Sequence, residues 1–178
     1  MMRSFVFACV ALLLSSAAMA QASGDIEWLT FEEAVAANEK EPRPMFIDIY
    51  TDWCGWCKRM DATTFKHPVI EDLMGTQFYA VKLDAEQKAD IKFGEYTFTY
   101  QADAGKRGTH ELALSLLEGN MSYPSFVLMD TEVQRLQVLK GYQQPKQLEM
   151  VLAYYGNDTY KTKKPEEFRS EFKSGIQE

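Results

Sequence analysis

Met45-Phe46-Ile47-Asp48-Ile49-Tyr50 runs across Thr51-Asp52 into Trp53-Cys54-Gly55-Trp56-Cys57-Lys58. The first six residues are a near-continuous apolar run with one carboxylate inside it. Their length and β-branching predict a strand covered on both faces. Gly55 to Met60 can start a helix, so Cys54 falls at or just before a helix N-terminus. Unpaired backbone N–H groups and the helix dipole stabilise a thiolate there. Cys57 falls one turn inside and is expected to be less exposed. This geometry separates two roles, with Cys54 attacking and Cys57 resolving a mixed disulfide. Lys58 adds a positive charge nearby.

The chain has 178 residues and three cysteines. The third, Cys9, lies in a segment with the form of a secretory signal peptide. Arg3 makes a short positive n-region, Phe5 to Leu14 an apolar h-region, and Ala18-Met19-Ala20 an A-x-A cleavage pattern. Residues 1–20 are therefore expected to be removed, with a cut after Ala22 as the alternative. Cys9 lies inside the h-region and would leave with the peptide. The apolar run is too short to span a bilayer comfortably, and no other run of membrane length exists. The mature chain is thus expected to be exported, to a periplasm or beyond, without a membrane span.

Export bears on the remaining pair. In an oxidising compartment two cysteines usually mean a structural disulfide, but a pair three residues apart closes almost no loop and removes little chain entropy. Two cysteines cannot complete a zinc site that wants four ligands, and the only histidines, His67 and His110, lie far from the pair in sequence. A catalytic dithiol is the first reading of the spacing. A structural staple and a metal site stay open beside it.

Composition excludes other classes. The chain is 46% hydrophobic and 25% charged, with a net charge of -7 and no dense Lys/Arg cluster, so a nucleic-acid partner is not expected. Aromatics make up 13% but are spread along the chain, as core packing requires.

Outward from the dithiol, Ile26 to Leu29 reads as a short edge strand. Thr30-Phe31-Glu32-Glu33 is a capping box that opens a helix ending near Asn38. After the dithiol helix, His67-Pro68 restarts a helix that Gly75 should end. Phe78 to Asp84 reads as a second central strand, parallel to the first, with Lys82 as its anomalous charge. Asp48 has two readings, a strand-end acid that reaches water or a buried acid held for proton transfer. Residues 85–108 differ from the rest, with Tyr96, Phe98 and Tyr100 on one face of an inserted hairpin around Gly94. A substrate-contacting flap is the alternative for that insertion. Thr109 should cap the next helix, with His110 facing solvent in its first turn. Tyr123-Pro124 leads into an apolar strand, for which a trans peptide is the default. Val133 to Lys140 should return antiparallel to it. Gln144-Pro145 opens a helix that ends at Gly156, and the charged tail, 157–178, has room for a short helix.

Together with its motif, this order resembles the thioredoxin superfamily over about residues 25 to 156. Phe46-Ile47-Asp48-Ile49-Tyr50 with Trp53-Cys54-Gly55-Trp56-Cys57-Lys58 resembles the family's strand with a buried acid and its W-C-G-x-C-K site. Val81-Lys82-Leu83-Asp84 is similar to the next strand with its lysine, and Tyr123-Pro124-Ser125-Phe126 to the cis-proline loop. The W-C-G-W-C-K form looks closest to exported bacterial thioredoxin-like proteins.

The resemblance implies an α/β thioredoxin-like fold, with a central mixed β-sheet flanked by helices and an inserted β-hairpin. The domain would span 21–156. It implies a redox-active Cys54–Cys57 disulfide, with Asp48 exchanging a proton with Cys57 and Lys82 tuning that acid. It further implies substrate contacts at Trp53, Gly55, Trp56, Tyr123 and a cis Pro124, the two tryptophans rimming an exposed sulfur. The implied activity is thiol–disulfide exchange on protein substrates, with a redox donor or acceptor as second partner, no metal and no cofactor. The acid–lysine pair favours reduction of disulfides. Gly-Trp between the cysteines, where thioredoxin has Gly-Pro, and Tyr before the proline depart from thioredoxin itself. A thioredoxin-fold binding module and a thiol-based Cu(I) handler are the competing functions.

Overall fold

The computed structural model describes residues 24–177; the signal-peptide reading and both cleavage positions lie outside them. In order, the chain forms β1 (Trp28–Leu29), α1 (Phe31–Asn38), β2 (Met45–Tyr50), α2 (Gly55–Ala62), α3 (Pro68–Gln77), β3 (Tyr79–Asp84), β4 (Ile91–Phe93), β5 (Tyr96–Phe98), β6 (Tyr100–Gln101), β7 (Thr109–His110), α4 (Glu111–Leu116), β8 (Ser125–Met129), β9 (Arg135–Lys140), α5 (Pro145–Gly156) and α6 (Pro165–Glu171). The main sheet has the order β1-β3-β2-β8-β9. β3 runs parallel to both β1 and β2, while β8 is antiparallel to β2 and β9 to β8.

The alternation of side chains along β2 decides what lies where. Met45, Ile47 and Ile49 face one layer, where they meet Phe31 and Ala34 of α1 and Leu112 and Leu116 of α4. Phe46 faces the other layer with Met60 of α2, Ile70 and Met74 of α3, and Leu148 and Leu152 of α5. Asp48 has the parity of Phe46, so it points toward the layer that holds the dithiol helix. Phe126 stands opposite Asp48 on β8 and stacks on Phe46 with ring centroids 5.4 Å apart. Burial on both faces is why β2 reads as a nearly unbroken apolar run.

Local chemistry starts the helices as the sequence suggests. Thr30 Oγ1 accepts from the Glu33 N–H at 3.2 Å, and the Thr30 N–H donates to Glu33 Oε2 at 2.8 Å. Thr30→Ala is expected to cost about 1 kcal/mol, read as a lower urea midpoint at unchanged m. His67 Nδ1 accepts from the Val69 N–H, with Pro68 at the first helical position. Residues 157–177 fold back on α5. Tyr154 packs on Phe168 of α6 at 5.0 Å and donates to the Lys163 carbonyl, and buried Glu149 accepts from the Gly175 N–H at 2.7 Å.

Several local expectations are corrected. Gly75 does not end α3, which runs on to Gln77; a glycine in its last turn weakens the helix without breaking it, because Met74 and Ile70 anchor it in the core. Val133 lies in a turn with φ 59°, and β9 begins at Arg135. Tyr100 leaves the β4–β5 hairpin and joins β6, which pairs with β7. Its hydroxyl donates to the Arg107 carbonyl and fills the space beside Gly108. At φ 76° a Cβ on Gly108 would lie 2.0 Å from that oxygen. Thr109 does not cap α4; His110 does, through Nδ1 accepting from the Leu112 N–H. Nor does His110 face solvent. It is fully buried, its Nε2 lies 3.1 Å from the Ala89 carbonyl, and burial holds its pKa below the usual value. The accepting Nδ1 leaves the proton on Nε2, which donates to that carbonyl. The β6–β7 pairing folds the insertion over this ring, and residue spacing along one helix cannot register such a long-range cover.

Candidate active site

Cys54 is the N-cap of α2, in extended conformation with φ -74° and ψ 103°. Its Sγ accepts from the Cys57 N–H at 3.1 Å, and its own N–H donates to the Thr51 carbonyl at 3.1 Å. The first turn of α2 thus aims a backbone donor at the Cys54 sulfur, the arrangement that favours a thiolate once the bond is reduced. Cys54 and Cys57 are joined as a disulfide. Both are covered, with Cys54 4% and Cys57 2% exposed, whereas Trp53 and Trp56 are 53% and 55% exposed. The sulfur of Cys54 is therefore less open than the resemblance implies, because the tight turn at Thr51–Cys54 folds the residue into the body while the indoles stay outside.

Two aromatic contacts tie the dithiol segment to distant loops. Trp53 meets Tyr123 edge-on at 5.7 Å, and Trp56 packs on Tyr142 at 5.6 Å. Trp53 also donates its indole N–H to Glu86 Oε1 at 2.8 Å. The Tyr123–Pro124 peptide is cis, and the Pro124 carbonyl accepts from the Gly141 N–H at 2.8 Å, which links the loop to the end of β9 beside Tyr142. Burial, with Glu86 and Asp84 nearby, pushes the Tyr123 hydroxyl up to about 12. Gly55, at the first position of α2, is exposed.

On the sheet, Asp48 and Lys82 are direct partners in the β2–β3 register. Lys82 Nζ donates to Asp48 Oδ2 at 2.7 Å and to Asp61 Oδ1, on α2, at 2.5 Å. Asp48 is 1% exposed, which removes the reading of a strand-end acid reaching water. Its Oδ1 has no hydrogen-bonding partner among the described residues. Burial pushes the acid up to about 6, against the opposing pull of Lys82. For Lys82, burial opposes the charge, but Asp48 and Asp61 outweigh it and hold the ammonium above its ordinary value. Its Nζ also lies 4.7 Å from the Trp28 ring centre and 5.1 Å from that of Tyr50. Lys82 thus joins β2 and β3 to α2. A buried carboxylate near neutrality, with one free oxygen on the face that carries α2, is equipped to take up or release a proton.

The structure sets Trp53 against Tyr123, beside the cis Pro124, joins Cys54 to Cys57, and joins Asp48 to Lys82. Sequence reasoning missed Asp61, Glu86, Arg59, Tyr142 and Arg107. Asp61 had a signal, since it lies one turn after Cys57 on the same helix. The others come from segments whose approach no local pattern records.

A parallel-and-antiparallel sheet with a dithiol capping the helix after its central strand, and a cis proline on the loop before β8, defines a thioredoxin-like protein. The chain belongs to the Thioredox_DsbH family, described as a protein of unknown function, DUF255, whose model matches residues 13–154. Among solved structures it is similar to a thioredoxin-fold protein from Helicobacter pylori, with a TM-score of 0.56 at 18% identity, covering 78% of this chain and 91% of that one. It is also similar to a putative disulphide-isomerase from Bacteroides thetaiotaomicron, with a TM-score of 0.51 at 25% identity, covering 75% and 93%. In sequence it is 28% identical over 81 residues to spermatogenesis-associated protein 20 of Homo sapiens, 45% of this chain and 10% of that protein. It is 30% identical over 67 residues to thiol:disulfide interchange protein DsbD of Pseudoalteromonas atlantica, 37% of this chain and 11% of that protein. The chain spans about a tenth of the length of these curated relatives. No helix among the described residues is long and apolar enough to cross a membrane.

Proposed function

We propose that this chain is an exported thiol–disulfide oxidoreductase that reduces protein disulfides. The observation that carries the reading is the Cys54–Cys57 disulfide at the N-terminus of α2, with the Cys57 N–H directed at the Cys54 sulfur. Reduced, Cys54 attacks a substrate disulfide as the thiolate. One substrate sulfur leaves as a thiol and the other stays bound to Cys54. Cys57 then gives up its proton, attacks Cys54, and expels the second substrate thiol. The chain's dithiol becomes a disulfide as the substrate gains two electrons and two protons.

Asp48 accepts the Cys57 proton in this scheme, through water at its free Oδ1, and Lys82 holds its other oxygen. Trp53, Gly55, Trp56, Tyr123 and Pro124 form the contact surface for an extended substrate segment, which the backbone beside the cis proline can pair with in the manner of strand addition. A redox partner then returns electrons to the chain. The paired acid and lysine support the reductive direction, and the signal-like residues 1–20 support export. Names printed for relatives, thiol:disulfide interchange protein and disulphide-isomerase, agree with the chemistry.

The test is an insulin-reduction assay together with equilibration of the pair against glutathione. Turnover of insulin with a potential near thioredoxin's roughly -270 mV is expected. A potential near roughly -120 mV would reverse the direction of electron flow. Absence of any exchange with dithiothreitol in the folded protein would leave a binding module as the function.

A further inference from the structure

We propose that Arg59 and Arg107 select protein substrates whose reacting cysteine is flanked by acidic side chains. This rests on the oxidoreductase reading and names the substrate class for that site. The two exposed indoles that bracket the dithiol each carry a guanidinium. Arg59, from α2, lies 5.4 Å from the Trp56 ring centre and 5.5 Å from that of Tyr142. Arg107, from the loop before β7, lies 5.7 Å from the Trp53 ring centre. The two come from segments 48 residues apart, and neither position belongs to the dithiol motif.

Both arginines are exposed, and neither forms an ion pair with a carboxylate among the described residues. This is unexpected on a chain with 26 acidic and 19 basic residues. Two acids beside the site have other hydrogen-bond partners: Glu86 accepts the Trp53 indole N–H, and Asp84 accepts the Glu86 backbone N–H. A guanidinium held over an aromatic face keeps its positive charge at the surface, where a carboxylate can reach it. The contact also restrains the side chain, so less conformational freedom is lost on binding. A segment lying across the dithiol with acidic residues on both sides of its cysteine would meet one positive charge at each indole.

The test uses pre-reduced protein in single turnover against disulfide-linked dimers of short peptides. Their central cysteine is flanked on both sides by glutamate, glutamine or lysine. Reactions are quenched with acid, and the protein disulfide and the two peptide thiols are quantified by mass. Each rate is divided by that of dithiothreitol with the same peptide, which removes the effect of flanking charge on the leaving thiol.

The normalised rate is expected to favour glutamate over lysine by about tenfold at low ionic strength, and the preference to shrink with salt. The double variant Arg59→Gln/Arg107→Gln is expected to bring the ratio close to one. Arg59→Lys/Arg107→Lys, which keeps both charges, should retain most of it. Equal normalised rates for the three peptides, or a preference that survives in the glutamine variant, would overturn the selection and leave the oxidoreductase reading intact. No reaction with any peptide would overturn both.

Discussion

Cys54→Ser is expected to abolish disulfide reduction, whereas Cys57→Ser is expected to stop the reaction one step later. The reason lies in the geometry of α2. Cys54 stands at the N-cap with a helix N–H directed at its sulfur, so its thiolate is the stabilised one. Cys57 is one turn inside the helix and supplies that N–H, so its own sulfur lacks the N-cap position and is not expected to take over the attack. With serine at 54 no mixed disulfide forms. With serine at 57 the first attack proceeds, but nothing expels the second substrate thiol, so a covalent Cys54–substrate adduct accumulates. Non-reducing electrophoresis and intact mass after incubation with insulin distinguish the two variants. Turnover by Cys54→Ser at the wild-type rate, or adducts from Cys54→Ser and none from Cys57→Ser, would contradict the assignment.

Asp48→Asn is expected to stabilise the fold at neutral pH while slowing the reaction. The Asp48 carboxyl is raised from 3.8 to about 6 in the folded chain, first of all by burial. A carboxyl raised on folding holds its proton more tightly in the native state than in the unfolded one. Its contribution to stability is complete below about pH 4 and is lost as pH rises through about 6. The shift of about 2 units corresponds to roughly 3 kcal/mol at pH 7. Asparagine removes this buried charge and leaves Lys82 paired with Asp61, so no cation is stranded. Its amide must still occupy the place of Oδ1, where the protein offers no partner, which offsets part of the gain. A net stabilisation of about 1–3 kcal/mol at pH 7 is expected, together with a flatter stability profile between pH 4 and 7. Urea melts across that range measure both.

The kinetic effect of the same change has the opposite sign. Without the acceptor, resolution by Cys57 at pH 7 should slow by on the order of 10²-fold, the lower range for general base catalysis. The defect should narrow as pH rises, because hydroxide increasingly takes over the role of the base. A variant that is both as fast and as unstable as wild type at pH 7 would remove Asp48 from the proton path.

Much of this was legible from local pattern. The dithiol spacing, the strand before it, the Thr30 capping box and the parallel β2–β3 pairing are written in short runs, because capping, periodicity and chain reversal act over a few residues. Asp48 stood out as a charge in an apolar strand, and Lys82 as its counterpart on the next. Their register, residue against residue, was not legible, since strand pairing is set by two whole hydrophobic faces meeting at once. His110 shows the same limit from the other side. A histidine in the first turn of a helix reads as exposed until the insertion folds over it.

At the opening stretch, the sequence by itself determined a dithiol behind a doubly covered strand, with a helix starting at the first sulfur. The tertiary structure decided the surroundings of that sulfur: the 4% exposure of Cys54, the cis Tyr123–Pro124 peptide, Glu86 on the Trp53 indole, and an arginine over each tryptophan. The physical reason is range. Helix starts and strand periods are local preferences, whereas the groups that cover and charge a site come from loops that approach it only when the two core layers close on either side of the sheet.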